Sequence, residues 1–536
     1  MVRTKFGTKR RVECGHGIHE DQPLGGGGRP GPPSMNPTPA RHGCRRWHQA
    51  WLVDPFVSCD RAGVIFPLTV GRRERRTKVT ADAGNRHGAL RAILDGLVLL
   101  PEDPGYDAAR LPWNRAVTQR PVAVATPRTP SDVVRVVRAA RDAGLKVAPQ
   151  STGHSAAPLD GRLDGAILLR MSGLSGVSID PDRQIARVDG GTPWGIVVQA
   201  AAHHGLAALH GSGPAVAVVG YTLGGGLSWY ARMHGLACNK VVAAEIVLAD
   251  GTLHRVDRDA EPDLFWALRG GGGSFGVVTA LEFRLLPLRE VYAGVLLWDD
   301  PEVTGEVCRT WARWTHGLAK DATTSLRLLG RTRLPRDQHI FPGRQVVIID
   351  GAILADDDRA AELIAPLRAL RPALDTFSPT PTTDIPRLHF DPELPSPFVS
   401  ADLLMDDFDD AAADALLASA GPDSGSILLS AEVRHLGGAL GRPDPEGGAL
   451  TRIPGGYMGN FFADASTPER HAQGAADAAR SVEALKPWSN GRRFLNFVEQ
   501  ASDPASVFDR DTLNRLRAIR NQVDPSRRFL PNHDLN

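Results

Sequence analysis

The pattern of apolar and polar positions predicts a β-α-β unit near residue 120. Residues 121–126 form a short apolar strand, and Thr129 followed by Pro130 is a typical start for a helix. The buried face of this helix would consist of Val133, Val134, Val136, Val137 and Ala140. Residues 146–149 then return as a second strand.

Downstream of this unit the pattern predicts hairpins mixed with helices. Residues 241–249 and 252–256 flank Asp250-Gly251, a strong turn signal, and residues 176–180 and 184–189 form a similar pair. The other elements predicted here are helices over 193–204 and 263–269 and a strand over 277–285. This mixture favours an α+β fold over a doubly wound Rossmann fold.

A second domain is predicted from about residue 287, where the glycine-rich loops thin out. Its helix-like segments are 301–318, 358–370 and 409–420, and its strand-like segments are 344–354 and 426–433. From residue 488 the chain returns to an aromatic and helical pattern.

The first 84 residues differ in composition from the rest of the chain. Residues 1–80 hold 15 Lys and Arg against 6 Asp and Glu, a glycine run at 25–28 and a proline-rich run, with poor periodicity. Such a segment can bury little apolar surface, so we expect a disordered or dispensable extension. The alternative is a basic tail for a polyanion.

Charge and composition exclude several classes of protein. The formal net charge is +1 over 536 residues, which argues against a general nucleic-acid binder. No apolar run is long enough to cross a membrane, and five scattered cysteines make no disulfide framework. We expect no metal site, no membrane partner and, without a clear export signal, a cytoplasmic location.

Three glycine-rich segments carry the candidate chemistry, at residues 150–155, 210–226 and 269–276. Glycine lets successive backbone N–H groups approach an anion such as a pyrophosphate. None of the segments matches a P-loop, and none opens a βαβ unit with an acid about 20 residues on. Three such turns after strands predict a nucleotide cofactor other than a nicotinamide.

From about residue 85 to the C terminus the chain resembles the berberine bridge enzyme-like flavoproteins, whose FAD domain is of the vanillyl-alcohol oxidase type. The matching segments, in order, are residues 121–134, STGHS at 151–155, GYTLGGG at 220–226, RMHGL at 232–236, ADG at 249–251, LFWALRGGGG at 264–273, FLNF at 494–497 and residues 524–529.

The resemblance implies a three-part organisation after the extension. A two-subdomain FAD-binding domain would span 85–288, and an α+β substrate domain with an antiparallel sheet would span 289–487. A berberine-like segment, 488–536, would return to the FAD domain.

The resemblance also implies that FAD is bonded through its 8α-methyl group to His154. A neutral imidazole is the nucleophile that this bond requires, and the tether usually makes the flavin a stronger oxidant. The alternative is that His154 only contacts the phosphates. The expected cofactor-binding residues are Ser151, Thr152, Gly153, His154, Ser155, Gly213, Gly220, Thr222, Gly224, Gly225, Gly226 and Asn496.

Two positions depart from the family pattern. Gly213 stands where many relatives carry a second, cysteine tether, so we expect a single covalent link. Phe494 stands where relatives carry the tyrosine of a Tyr-x-Asn motif, whose phenol often serves as the catalytic base. A phenyl ring cannot accept a proton, so another group must do so or the substrate must not need it.

The reaction implied is hydride transfer from a C–H beside an alcohol or amine to flavin N5, with oxygen reoxidising the flavin to give peroxide. The partners would be a small-molecule substrate and oxygen. The alternatives are a dehydrogenase with another acceptor and a degenerate protein that binds FAD without turnover. A nicotinamide dehydrogenase built on residues 270–276 would be colourless when purified.

Tyr457 and Glu432 are the candidate bases. Residues 426–436 alternate, so Glu432 and Arg434 share one face of a strand. Tyr457 follows Arg452 at a spacing similar to relatives whose strand enters the pocket. The simpler alternatives are a surface ion pair between Glu432 and Arg434 and a core position for Tyr457. An amine substrate that loses its proton to water is the remaining possibility.

Deletion of residues 1–80 should leave the melting temperature nearly unchanged, because this segment offers few apolar contacts. Calorimetry of the full-length and shortened proteins in the same buffer measures the difference. A drop of several degrees would show docking against the folded part and would contradict the expectation.

Overall fold

The computed structural model describes residues 88–330 and 345–536, so the expected extension over 1–84 lies outside the described residues. Three sheets, of four, five and eight strands, alternate with helices along this part of the chain. This mixture confirms the α+β fold class. The described helices include none that is both long and apolar enough to cross a membrane.

The first sheet contains the predicted β-α-β unit. Its strands, in the spatial order β1-β2-β4-β3, are β1 (Val98–Leu99), β2 (Ala123–Ala125), β4 (Ala166–Arg170) and β3 (Lys146–Gln150). Helix α1 (Tyr106–Arg110) precedes β2, and helix α2 (Pro130–Asp142) connects β2 to β3. Thr129 caps α2 through a reciprocal hydrogen-bonded box with Asp132, as the Thr-Pro start predicted.

The second sheet is antiparallel and contains both predicted hairpins. Its strands, in the order β5-β6-β9-β7-β8, are β5 (Val177–Asp180), β6 (Ile185–Asp189), β9 (Val277–Arg284), β7 (Val241–Val247) and β8 (Leu253–Asp257). The helices in this part are α3 (Trp194–Ala202), α4 (Val218–Leu223), α5 (Ala231–His234) and α6 (Pro262–Leu268).

The third sheet, which we call the large sheet, runs in the order β13-β10-β12-β11-β16-β17-β15, with β14 beside β10. Its strands are β10 (Glu290–Trp298), β11 (Ala322–Leu329), β12 (Val346–Ile353), β13 (Leu374–Asp375), β14 (Ser378–Pro381), β15 (Phe398–Met405), β16 (Ser430–His435) and β17 (Tyr457–Asp464). Its helices are α7 (Thr304–His316), α8 (Asp357–Arg368), α9 (Asp410–Ala420) and α10 (Pro468–Leu485).

The two faces of the large sheet have different chemistry. Arg327, Glu432, Asn460 and Asp402 lie opposite one another in one row across β11, β16, β17 and β15. Residues at the intervening positions, such as Phe461, belong to an apolar core shared with α7, α9 and α10. Because side chains alternate along a strand, one face is polar and the other packs on helices.

The C-terminal segment returns to the first sheet. After helix α11 (Arg510–Val523), Phe529 forms a parallel bridge with Val147 of β3, and the Leu530 N–H donates to the Val147 carbonyl. Phe529 is buried in the core of that sheet. The C terminus therefore lies beside the loop that follows β3.

A buried arginine joins helix α5 to the region around the large sheet. The guanidinium of Arg232 donates to the carbonyls of Leu318, Ala319, Ala322 and Leu436. Burial lowers its pKa to about 10, so it remains charged at neutral pH. One side chain thus satisfies carbonyl groups from two segments that are far apart in sequence.

Replacement of this arginine by leucine (R232L) should lower the free energy of unfolding by about 3 kcal/mol, because it leaves several buried carbonyls without a donor. The matched control is R309L, whose partly exposed ion pair with Asp414 should contribute at most about 1 kcal/mol. Urea denaturation compares the two variants, and equal losses would contradict this account of Arg232.

Candidate functional site

A cavity of about 380 Å³ lies between the glycine-rich turns and the polar face of the large sheet. Its wall also includes residues from the C-terminal segment, among them Leu495, Asn496 and Asn532. The cavity is thus built from segments that are hundreds of residues apart in sequence.

Most of the residues expected to bind the cofactor line this cavity. They are Ser151, Thr152, Gly153, His154, Ser155, Gly213, Gly220, Gly224 and Asn496. The other three, Thr222, Gly225 and Gly226, are not in the lining, but each is adjacent in sequence to a lining residue.

The loop that carries His154 is held by local contacts. His154 stacks on Trp113, with 4.3 Å between ring centroids, and Thr152 Oγ1 lies 2.8 Å from His154 Nδ1. Gly153 has a φ of +80°, and an added Cβ would lie 2.8 Å from the side chains of Gln150 and Pro112. Only glycine allows the chain to turn here.

Burial keeps the His154 imidazole neutral. It lowers the pKa of His154 to about 4, although the carboxylate of Asp391 opposes this shift. A neutral ring nitrogen is the form that can act as a nucleophile.

Asn496 clamps the second glycine turn. Its Oδ1 accepts a hydrogen bond from the Gly226 N–H, and its Nδ2 donates to the Tyr221 carbonyl, each at 2.9 Å. Gly225 has a φ of +123°, and an added Cβ would lie 2.6 Å from the ring of Phe494. The backbone of the turn is therefore pressed against the C-terminal segment.

Phe494 and Gly213 occupy the two positions that depart from the family pattern. The Phe494 ring is buried in an apolar cluster with Leu450 and Cys238, outside the cavity lining. Gly213 lines the cavity, and an added Cβ there would approach no atom closer than 3.4 Å. Cys238 is buried beside the Leu450 carbonyl, and burial raises the pKa of its thiol to about 12.

A buried charge cluster, formed by Arg327, Asp350, His389, Glu432 and Arg434, lies on the polar face of the large sheet. Arg327 pairs with Asp350, and Arg434 pairs with Glu432. His389 lies between the two carboxylates, with Nδ1 2.8 Å from Asp350 and Nε2 3.2 Å from Glu432. The cluster is linked throughout by hydrogen bonds and ion pairs.

The pairing decides the protonation of this cluster. Burial alone would raise the pKa of Glu432, but Arg434 and His389 hold it far below its ordinary value. The pKa of Asp350 is likewise lowered, against its burial, by Arg327 and His389. Burial and Arg327 oppose protonation of His389, but Asp350 and Glu432 raise its pKa. Glu432 is therefore ionised and weakly basic.

Arg434 is the member of the cluster that reaches the cavity wall. Its guanidinium carbon lies 5.7 Å from the Trp229 ring centroid and 5.1 Å from that of Phe497. Aromatic faces on a paired guanidinium fix its position. Glu432 and Arg434 do share one strand face, but the pair is buried and not on the surface.

The structure does not bring Tyr457 to the cavity, which corrects the expectation for this residue. It lies on the helix-packed face of β17, where its hydroxyl is 2.8 Å from Thr315 Oγ1 and its ring packs against Trp311 and Phe408. The register puts Asn460 and Phe462, not Tyr457, on the cavity side.

Sequence reasoning did not find several polar residues of the wall. Asp391 follows β14 in a loop, and its Oδ2 accepts a 2.7 Å hydrogen bond from Ser212. Asn460 and Ser400 come from β17 and β15, and Glu499 and His533 come from the C-terminal segment. Alternation along β17 could have indicated Asn460, but no spacing signal points to the loop residue Asp391.

The cavity fits a large polar cofactor such as FAD. Ser155 Oγ, Glu499 Oε2 and both ring nitrogens of His533 are buried without a hydrogen-bond partner among the described residues. At Gly220 and Gly273 an added Cβ would meet no atom within 4 Å, so bare backbone faces the space. Unsatisfied polar atoms and open glycine backbone are what a phosphate-bearing ligand would complete.

Comparison with known proteins supports the same cofactor. The family model described as an FAD binding domain matches residues 121–257. (R)-6-hydroxynicotine oxidase of Paenarthrobacter nicotinovorans is 28% identical over 464 residues, which are 82% of this chain and 97% of that protein. The FAD-dependent monooxygenase FUP4 of Fusarium proliferatum is 35% identical over 224 residues, and there the match spans only 43% of the relative.

Solved structures share the fold over most of the chain. The BBE-like 1 protein of Physcomitrella patens has a TM-score of 0.73 at 20% identity, covering 84% of this chain and 99% of that one. Glucooligosaccharide oxidase from Acremonium strictum has a TM-score of 0.70 at 20% identity, covering 82% and 98%. The latter structure is described as carrying a 6-S-cysteinyl, 8α-N1-histidyl FAD.

These findings agree with the glycine turns, the neutral histidine at residue 154 and the cavity. The chain therefore contains an FAD binding domain over residues 121–257, and along most of its length it is similar to an FAD-linked oxidase and to a BBE-like protein.

Proposed function

We propose that this protein is an FAD-linked oxidase that removes hydride from a C–H beside an alcohol or amine of a small-molecule substrate. The observation that carries the proposal is a neutral, partly buried His154 in a glycine-lined cavity that also meets a polar sheet face. When bound, FAD would accept the hydride and pass the electrons to oxygen, giving peroxide.

The chain's own residues supply binding and orientation. The 150–155 loop and the turns around Gly220 and Gly273 would hold the cofactor, and Asn496 would keep the second turn in place. Arg434, Asn460 and Ser400 offer polar groups to the substrate, while Phe398 and Phe462 offer apolar surface. A polar, partly aromatic wall suits a small hydroxylated or nitrogen-containing ring compound.

The broad function is tested by a panel of alcohols, sugars and cyclic amines, with peroxide release and flavin absorbance recorded together. Bleaching of the flavin under anaerobic conditions and stoichiometric peroxide in air would support an oxidase. Bleaching without peroxide would favour the dehydrogenase alternative. Absence of bleaching across the panel would favour a protein that binds FAD without turnover.

We further propose that His154 forms the only covalent link to the flavin. A histidyl link occurs in the Acremonium oxidase, whose second link is cysteinyl. Here Gly213 lines the wall without a thiol, and the two cysteines of the described residues, Cys238 and Cys308, are buried in apolar clusters away from the cavity lining.

Acid-precipitated wild-type protein should remain yellow, because a covalent bond survives unfolding. The H154A variant should release its flavin on precipitation even if it binds FAD when folded. Proteolysis of the wild type should give one flavopeptide, from the region around His154. Colour retained by precipitated H154A, or a peptide that also contains Cys238, would contradict the single link.

For the proton acceptor, we propose Asp391 in place of the two candidates that the sequence suggested. Asp391 lies in the cavity wall and accepts one described hydrogen bond, from Ser212. Glu432 lies behind Arg434 and is fully paired, so it would position the guanidinium. Tyr457 lies on the far face of the sheet.

The D391N variant should slow flavin reduction by about 100-fold, the low end for loss of a general base. The Y457F variant should reduce its flavin at the wild-type rate, and E432Q should mainly raise KM because Arg434 loses its partner. Stopped-flow absorbance measures each rate. A greater loss in Y457F or E432Q than in D391N would contradict the assignment.

If none of the three variants slows reduction, and the rate instead follows the substrate's own deprotonation, an amine is the better substrate class. An amine can lose its proton to water before hydride transfer, so it needs no protein base.

A further inference from the structure

The C-terminal segment provides a second polar end of the cavity, distinct from the buried charge cluster. Glu499 and His533 both line the wall there. Glu499 Oε2 and both His533 ring nitrogens are enclosed, and none has a hydrogen-bond partner among the described residues. Buried polar atoms are rarely left unsatisfied, so two neighbouring exceptions in one wall point to a ligand that completes them.

The charges around Glu499 do not favour its ionisation. Arg493, which is not part of the cavity lining, binds Asp402 through two nitrogens. The Asp402 carboxylate in turn repels a negative charge on Glu499. Arg493 also disfavours a proton on His533, whereas the Val498 backbone, which makes no hydrogen bond to the neutral ring, favours one.

Both residues are therefore neutral at neutral pH. Burial, reinforced by Asp402, raises the pKa of Glu499 to about 8. Burial lowers the pKa of His533 to about 4. The other titratable or charged groups that line the same cavity are His154, Tyr221, Asp391 and Arg434, on other parts of its wall.

We propose that Glu499 is kept as a neutral carboxylic acid that donates a hydrogen bond to an acceptor atom of the molecule bound in the cavity. The acceptor would be a carbonyl oxygen or an unprotonated ring nitrogen, which the cofactor and the substrate can each supply. The proposal rests on the proposed function only in requiring that the cavity binds FAD. Asp402 is a positioning residue, because its carboxylate, paired with Arg493, disfavours a negative charge on Glu499.

The geometry separates two roles within one cavity. A protonated Glu499 can donate but cannot accept a substrate proton, whereas Asp391 carries the accepting role in a different wall segment. A carboxyl group held neutral by an apolar setting and a neighbouring carboxylate is a known way to place a donor at neutral pH.

Protonation linkage gives a test that does not depend on turnover. The pKa of Glu499 is raised in the folded protein from its ordinary value of 4.5 to about 8. The unfolded chain loses this proton at lower pH than the folded chain does. The contribution of this proton to the free energy of unfolding is thus fully present below about pH 4.5, and it is lost as the pH rises towards 8.

The experiment measures melting temperature and flavin absorbance of the yellow holoprotein from about pH 5 to about pH 9. The variants are E499Q and, as a matched surface control, E483Q, whose carboxylate pairs with Lys486 in solvent. The melting temperatures of wild type and E483Q should fall more steeply with rising pH than that of E499Q. Overlapping profiles for wild type and E499Q would overturn the proposal.

Flavin absorbance identifies the source of the acceptor. A spectral transition near about pH 8 in the substrate-free holoprotein, absent from E499Q, would place the acceptor on the cofactor. The same transition seen only with a bound substrate analogue would place it on the substrate. Absence of the transition in both states would overturn the proposal.

If E499Q fails to retain flavin, infrared spectroscopy of the wild type alone can still test the proposal. Ordinary carboxyl groups have ionised by about pH 5, so a protonated-acid carbonyl band that disappears only near about pH 8 would support Glu499 as a neutral acid. Absence of that band at neutral pH would overturn it. These measurements use no substrate turnover. A failure of the proposed oxidase activity would therefore be seen in the substrate panel and not here.

Discussion

The contact between the second glycine turn and the C-terminal segment is the constraint on which the site depends. Asn496 binds both Tyr221 and Gly226, and the Phe494 ring occupies the space that a side chain at Gly225 would need. The two segments are about 270 residues apart in sequence. Without this contact, the cavity would lose the wall that joins the glycine turns to the polar sheet face.

The polar face of the large sheet imposes a second constraint, because buried charges must be paired. The buried charge cluster pairs its carboxylates with its cations, which leaves Glu432 ionised but weakly basic. At the other end of the same polar row, Asp402 forms an ion pair with Arg493. Under the proposed function, the residues left to act on the bound molecule are those outside these pairs, chiefly Asp391 and Glu499.

Much of the fold could be predicted from local sequence. Helix α2 began at the predicted Thr-Pro cap, and the β7–β8 hairpin formed at the Asp250-Gly251 turn, because both signals are local. Strands β10 and β11 were not predicted. Both are buried on almost every side. The apolar run of β10 therefore lacks the alternation that identifies a half-exposed strand, and the polar residues Ser325 and Arg327 of β11 face the protein interior rather than solvent.

The site could be predicted only in part, because only some of its residues belong to local sequence motifs. Glycine turns and the Gly153-His154 pair form local motifs, and they lie at the cavity as expected. The prediction for Tyr457 depended on which face of β17 meets the cavity, and a one-residue difference in register exchanges the two faces. Asp391, Glu499 and His533 reach the wall through tertiary contacts between distant segments, which spacing in one sequence does not encode.

A crystal structure of the purified yellow protein tests the central claim most directly. The account predicts an isoalloxazine ring in the cavity between the turn at 224–226 and the polar face of the large sheet, with continuous electron density from a His154 ring nitrogen to the 8α carbon. A flavin located elsewhere, or a His154 ring separated from the flavin by van der Waals distance, would contradict it.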